Sequence, residues 1–495
     1  MNASTDFLHD DVLLTTHYAR ALYHDIAEHA PIVDVHNHLS PTDIADDRRW
    51  STITDLWLGD DHYKWKAMRL AGYAEDVVSG DADPWDRFSA WAATIPRTIR
   101  NPLYLWTHLE LRRAFGIDLT LSPATAREIW QECNHQLEHR WSAQSLLRHF
   151  RVVAVATTDD PADTLQHHLD HRGAMADPVM VPTFRPDAAF RLLDDPAAWC
   201  AWAARLSEVS GGIGVTDLDS LLGALRAAYV RFAAAGARAS DHGLTSIPDR
   251  PRDPVAADAV IRSVVTGRSA TEDERDTVAL EVLTLSARLA HGDDAVLQLH
   301  LGPLRDVSPR VLAAAGRDAG ADVMDDHRQA RGLARLLGTL EAEDALPRTV
   351  IFNLNPADNL VFATMAGAFA RPGVRSLVQW GPPWWFNDTE QGMRRGLDDL
   401  SQVGLLAHSI GMLTDSRSIL SMTRHELFRR LLCDTLGRDI ADGRIPDDRL
   451  WLNEVVAGLC VGNAVDHFGF PATWKTWATG NTGKTGVDRQ GPVRP

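Results

Sequence analysis

The chain has 495 residues, a formal net charge of −17, 45% hydrophobic and 24% charged residues. At roughly 100–200 residues per domain this length allows several domains or one elaborated barrel, and the composition excludes a fibrous or largely disordered protein. The acidic balance opposes phosphate backbones, so nucleic acid is a poor partner, and no run approaches the ~20 apolar residues of a membrane helix.

The first ten residues, MNASTDFLHD, lack the basic and apolar regions of a secretory leader. Cys133, Cys200, Cys433 and Cys460 lie far apart without Cys-x-x-Cys spacing, so reduced thiols and a cytoplasmic setting are expected. Residues 1–30 read as a helical segment. The run 31–38 (PIVDVHNH) then reads as a first strand, and similar runs follow at 151–160, 179–186, 295–302, 349–355, 376–381 and 410–417. Most are separated by helical patterns such as 277–290 and 328–340. Continuously apolar strands alternating with helices predict an α/β fold with a parallel sheet covered on both faces. With one more strand sought between 200 and 290, the pattern fits a (β/α)8 TIM-like barrel over 31–472 better than an open sheet. Catalytic groups of such barrels gather at the C-terminal strand ends, where His36, His38, Arg185, His300 and Asp415 all fall.

Residues 42–145 are too long for an ordinary strand-to-helix connection. They are rich in tryptophan and helix-patterned at 84–93, 103–115 and from 124 to about 149, which predicts a helical insertion domain over the barrel mouth. A second insertion, about 236–275, reads as a solvated excursion rich in Asp, Arg, Ser and Pro. Residues 421–470 predict a helical C-terminal segment, and 473–495 a disordered tail.

His36-x-His38 closes the first strand, where residues i and i+2 face the same way and two imidazoles can meet one metal. Asp415, at the end of the last strand run, could complete a His2Asp site with open positions for substrate. Held loosely, the same carboxylate could move a proton. The competing reading is a structural ion pair between Asp415 and Arg417. Arg185 and Arg417 offer planar forks suited to a carboxylate, and two of them at one mouth of an acidic chain argue for a carboxylated substrate. The 16 tryptophans, clustered over 50–106 and again at Trp380, Trp384 and Trp385, pack helices or, at a sugar site, stack on C–H faces while the indole N–H donates. His62, Tyr63, Lys64 and Trp65 crowd a helix start that, taken alone, reads as a plain amphipathic helix. The cluster His167-His168-Leu-Asp-His171 reads as a solvated helical face. There is no glycine-rich phosphate loop, Gly-x-Ser-x-Gly or trusted lysine cofactor motif.

From about residue 10 to 472 the sequence resembles the uronate (glucuronate) isomerase family, a divergent member of the amidohydrolase superfamily. The resemblance is carried by DVHNHL from Asp34, LWLGDDHYKWK from Leu56, NPLYLWTHLELRRAFG from Asn101, PTFRPD from Pro182, WWFND from Trp384, LTDSRS from Leu413 and RHE from Arg424. It implies a (β/α)8 barrel with a helical insertion domain after strand 1. It also implies an aldose–ketose isomerase interconverting D-glucuronate with D-fructuronate and D-galacturonate with D-tagaturonate. On matching positions it implies metal ligands His36, His38 and Asp415, holding one divalent ion, with Zn2+ first and Mn2+ or Fe2+ as alternatives. Asp415, His62 and Tyr63 become catalytic candidates, and Arg185, Arg417, His300, Trp384 and Trp385 substrate-binding ones. The expected partner is a small-molecule hexuronate, and a homo-oligomer is compatible with the resemblance. The sequence departs from the family pattern at Asn37, where Cys is expected, in the extra Asp of Gly59-Asp-Asp-His, and over 236–275. The sixth strand run carries no histidine, which favours one metal over the two of hydrolytic relatives. The alternatives are a metal-dependent hydrolase or decarboxylase on the same barrel and, third, a uronate-binding protein without activity.

Overall fold

In the computed structural model, residues 7–174, 177–192 and 195–481 are described. Seven strands form one parallel sheet in chain order: β1 (Ile32–Asp34), β2 (Val152–Asp159), β3 (Val179–Phe184), β4 (Ala239–Leu244), β5 (Val296–Leu301), β6 (Arg348–Asn353) and β7 (Val378–Trp380). Every neighbour is sequential, as right-handed strand–helix–strand units require. Their side chains are almost all buried, because helices cover the outside and the strands' own side chains fill the interior. The sheet curls into a TIM-like barrel.

The eighth position is filled without a regular strand. The segment 410–417 is extended but makes no ladder: Gly411 has φ +79° and Asp415 φ +46°, values that break β geometry. Gly411 also presses against the Leu459 carbonyl, leaving no room for a Cβ. The segment still bridges the seam. Asp415 N donates to His36 O at 3.1 Å and His38 N to Ser416 O at 2.9 Å, while Ile410 N donates to the β7 side chain Gln379 Oε1 at 3.2 Å.

Between β1 and β2 the chain makes a series of helices, among them Ile53–Leu58, His62–Leu70, Pro84–Thr94, Pro102–Phe115, Ala126–His139 and Ala143–His149. Trp57, Phe88, Trp91 and Trp106 are buried among them, so this tryptophan cluster packs helices. The helix His17–Asp25 lies against the long C-terminal helix Thr423–Ala441.

Three expectations are corrected. Residues 236–275 are not a solvated excursion: they hold β4, the helix Pro254–Val265 and the start of Glu272–Gly292, with Ala257, Val260, Ile261 and Val264 buried. The strand was hidden because its buried residues Ser240, Asp241 and His242 are polar. His168 and His171 are buried, not solvated; their Nε2 atoms meet Thr157 Oγ1 at 2.8 Å and Pro178 O at 2.7 Å. The tail is ordered at its start, since Ala472–Asn481 is a 3-10 helix whose Trp474 and Trp477 pack on the core; residues 482–495 lie outside the described residues. No helix among the described residues is long and apolar enough to cross a membrane.

Candidate active site

Asp34 assembles the metal-type cluster. Its carboxylate accepts from Thr414 N at 2.8 Å, Thr414 Oγ1 at 2.6 Å and Asn37 Nδ2 at 3.1 Å, which fastens 410–417 to β1. Asp415 is thereby held against His36 and His38, whose Nε2 atoms lie 3.2 and 3.1 Å from the same oxygen, Asp415 Oδ1. Asn37, between the histidines, turns the other way and is buried. The competing reading, an ion pair between Asp415 and Arg417, is absent among the described residues, where Arg417 pairs with Asp60. Against the upward push of burial, hydrogen bonds from His36 and His38 hold Asp415 well below the usual carboxylate range.

His36, His38 and Asp415 bring one donor atom each within 4.8 Å of one another. Two imidazole nitrogens converging on one carboxylate oxygen suit a divalent transition metal, so the donor set fits the ion the family resemblance implies. A second group, His36, Asp241 and His300, meets the same distance criterion. Its Asp241 is already committed, as Oδ1 lies 2.7 Å from His300 Nδ1 and Oδ2 2.9 Å from Arg185 Nη1.

That commitment is part of a buried chain of charges. Arg185 Nε donates to Asp187 Oδ2 at 2.9 Å, so two carboxylates hold this guanidinium. Only Nη2 is left, lying against Gly243, where any side chain would collide with it. Burial opposes the ionised form of Asp241, but Arg185 and then His300 hold it well below its ordinary range. His300 is stacked on Phe352 at 4.2 Å and flanked by Trp384 at 4.7 Å. Burial pushes its pKa down to about 4, and its Nε2 is buried without a protein partner. Sequence reasoning missed Asp241, Asp187 and the buried His242, whose Nδ1 lies 3.3 Å from Asp187 Oδ1. Asp187 was within a quoted motif, and Asp241 stands in a strand with no apolar run to reveal it.

His62 and Tyr63 open the helix His62–Leu70, capped by Asp61, which accepts from Tyr63 N at 3.0 Å and Lys64 N at 3.2 Å. His62 Nδ1 and Tyr63 Oη are buried without protein partners. Burial, then Arg417, pushes His62 down to about 4; burial, then Asp415, pushes Tyr63 well above its usual value. Both are neutral near pH 7. Trp385 meets the His62 ring edge-on at 5.6 Å. Behind them the buried Arg424 of the C-terminal helix donates to Thr414 O at 3.1 Å and Asp388 Oδ2 at 3.0 Å, while its guanidinium lies over the rings of Tyr63 and Trp106 at 5.3 and 3.9 Å.

A cavity of about 1040 Å3 at the C-terminal strand ends is lined by His36, His38, His62, Arg185, His300, Trp384, Trp385, Asp415 and Arg417. The predicted site residues are therefore together, except that Tyr63 lies behind the wall rather than on it. Arg417 donates from Nη1 to Asp60 Oδ1 at 3.0 Å.

A sequence model of the family described as glucuronate isomerase matches residues 4–468. The chain belongs to that family. As a member of the glucuronate isomerase family it is an isomerase, built on the barrel described above. It is 42% identical over 469 residues to the uronate isomerase of Salmonella typhi, covering 93% of this chain and 99% of that one. Among solved structures it resembles the uronate isomerase of Thermotoga maritima at 33% identity with a TM-score of 0.87, covering 93% of this chain and 99% of the other. It also resembles the glucuronate isomerase of Caulobacter crescentus at 26% identity with a TM-score of 0.86, covering 94% and 97%. In this family member the glucuronate isomerase matches span barrel and insertion together.

Proposed function

We propose that the protein interconverts D-glucuronate with D-fructuronate, and D-galacturonate with D-tagaturonate, through an enediol in the cavity at the barrel mouth. The reading is carried by one observation: Asp415 meets both imidazoles of His36-x-His38 through a single oxygen, in the same cavity as Arg417. His36, His38 and Asp415 would hold one divalent ion, with Zn2+ favoured by the His2Asp set and Mn2+ or Fe2+ as alternatives. Such an ion supplies a Lewis acid for a substrate oxygen.

The remaining chemistry belongs to side chains. Arg417 grips the C6 carboxylate, since its fork has a single exposed carboxylate partner among the described residues. Arg185, tied to Asp187 and Asp241, offers only Nη2 and chiefly fixes Asp241. Both imidazole contacts fall on Asp415 Oδ1, which leaves Oδ2 to take the C2 proton and return it to C1. His300 donates Nδ1–H to Asp241, so its Nε2 presents a lone pair to a substrate hydroxyl. Neutral His62 hydrogen-bonds an enediol oxygen, and protonated Tyr63, whose ring lies 4.6 Å from that of His62, is the second donor to the enediol. Trp384 and Trp385 wall the sugar's C–H face.

The test is ketose formation from D-glucuronate and D-galacturonate in a coupled assay, run beside hydrogen exchange at C2. Ketose with exchange supports the isomerase. A second product released without ketose would instead mean a hydrolase or decarboxylase on the same barrel.

A further inference from the structure

Gly59-Asp60-Asp61-His62 carries two adjacent carboxylates in different employment. Asp61 is buried, caps the helix His62–Leu70 and binds Lys64 Nζ at 2.5 Å. Asp60 takes no part in the cap. Its Oδ1 accepts from Arg417 Nη1 at 3.0 Å while its side chain remains 66% exposed. Gly59 makes the division workable, because a Cβ there would strike the Asp55 carbonyl oxygen as the chain turns. The turn sends Asp61 inward and Asp60 across a second cavity of about 350 Å3, shared with His38 and Arg417.

Arg417 itself is only 21% exposed, and Asp60 is its one hydrogen-bonding partner among the described residues. Arg185, by contrast, is tied to two carboxylates that are almost wholly buried. A pair with one partner mostly in water is weak and exchanges readily, whereas the Arg185 pairs are costly to break. An incoming carboxylate makes the same kind of contact with the guanidinium that Asp60 makes.

We infer that Asp60 is an internal competitor for the substrate carboxylate, occupying Arg417 in the ligand-free site and setting which anions can enter. A simple monocarboxylate replaces one carboxylate by another and gains nothing. A sugar acid that adds hydroxyl contacts elsewhere in the cavity displaces Asp60. Asp60 is thus a specificity-determining residue, an inference that rests on reading Arg417 as the carboxylate anchor.

The test uses the full-length enzyme with Asp60→Asn, Asp60→Ala, Arg417→Met and the Asp60→Asn/Arg417→Met double variant. The readouts are KM for D-glucuronate, calorimetric Kd for L-gulonate, which keeps the carboxylate of D-glucuronate and has an alcohol in place of the aldehyde, and inhibition by acetate. Both Asp60 variants should lower KM and Kd about two- to fivefold, the scale of an exposed ion pair, and should become more sensitive to acetate. The double variant should bind no better than Arg417→Met. Unchanged or weaker binding in both Asp60 variants overturns the inference. So does a gain that persists without Arg417, since that would be a general effect of removing a negative charge. Arg417→Met leaving both ligands unaffected would sink the anchor reading itself. Arg417→Met weakening binding while the Asp60 variants fail to tighten it would sink only the competitor role.

Discussion

His300 Nδ1 lies 2.7 Å from Asp241 Oδ1, with both side chains shut off from solvent. This contact fixes the imidazole tautomer and aims Nε2 into the cavity. Losing such an orienting carboxylate commonly costs 10- to 100-fold in related sites, so Asp241→Asn should cut kcat/KM by about that factor. An asparagine keeps the acceptor but loses the charge that Arg185 needs. Steady-state kinetics within about threefold of wild type would reject the orienting role.

The same contact shows what the sequence could and could not reveal. His36, His38, His300 and Asp415 were legible because each follows a short apolar strand run, and position at a strand end is a local property. Asp241 was not, because β4 carries Ser-Asp-His where its neighbours β3 and β5 carry runs of Val, Met and Leu. Its burial is tolerated only through pairing with Arg185 and His300, partners 56 and 59 residues away in the chain. The eighth strand was over-read for a related reason: 410–413 is apolar like a strand, yet Gly411 and Asp415 take positive φ to bring the carboxylate round to the histidines. His168 and His171 look like a polar helical face and are buried by long-range packing that no spacing encodes.

Arg417 and Arg185 should fail differently. Arg417→Met removes an anchor whose protein partner is largely in water, so unfolding free energy should change by less than about 1 kcal/mol. Its kcat/KM for uronates should nevertheless fall about 30-fold or more, with neutral aldoses much less affected. Arg185→Met strands Asp187 and Asp241 in the interior and should destabilise by about 3–5 kcal/mol, harming charged and neutral substrates alike. Urea unfolding and kinetics on both substrate classes check the contrast; matching profiles for the two variants would refute it.

His467 lies outside the cavity and should make the protein acid-sensitive. Gln379 Oε1 accepts from Ile410 N, which turns Gln379 Nε2 to donate to His467 Nδ1 at 3.2 Å. Burial, then Arg348, pushes its pKa down to about 3. The unfolded chain, near the ordinary 6.5, therefore binds the proton first. The stability His467 contributes is complete above pH 6.5 and lost as pH falls toward 3, at about 1.4 kcal/mol per unit. His467→Gln should gain about 2 kcal/mol relative to wild type between pH 7.5 and 5. A wild-type-to-variant difference that stays constant over that range would show that His467 is not held neutral.

The proton-transfer role of Asp415 is the centre of the account, and exchange of the C2 hydrogen of D-glucuronate into heavy water tests it most directly. Asp415→Asn keeps the size and one oxygen of the side chain but is no longer basic. The account predicts that wild type exchanges C2 hydrogen as it forms ketose. The variant should stay folded, bind L-gulonate and lose nearly all exchange and turnover together. Exchange at an undiminished rate in Asp415→Asn would contradict it, and would pass the proton to His62 or Tyr63.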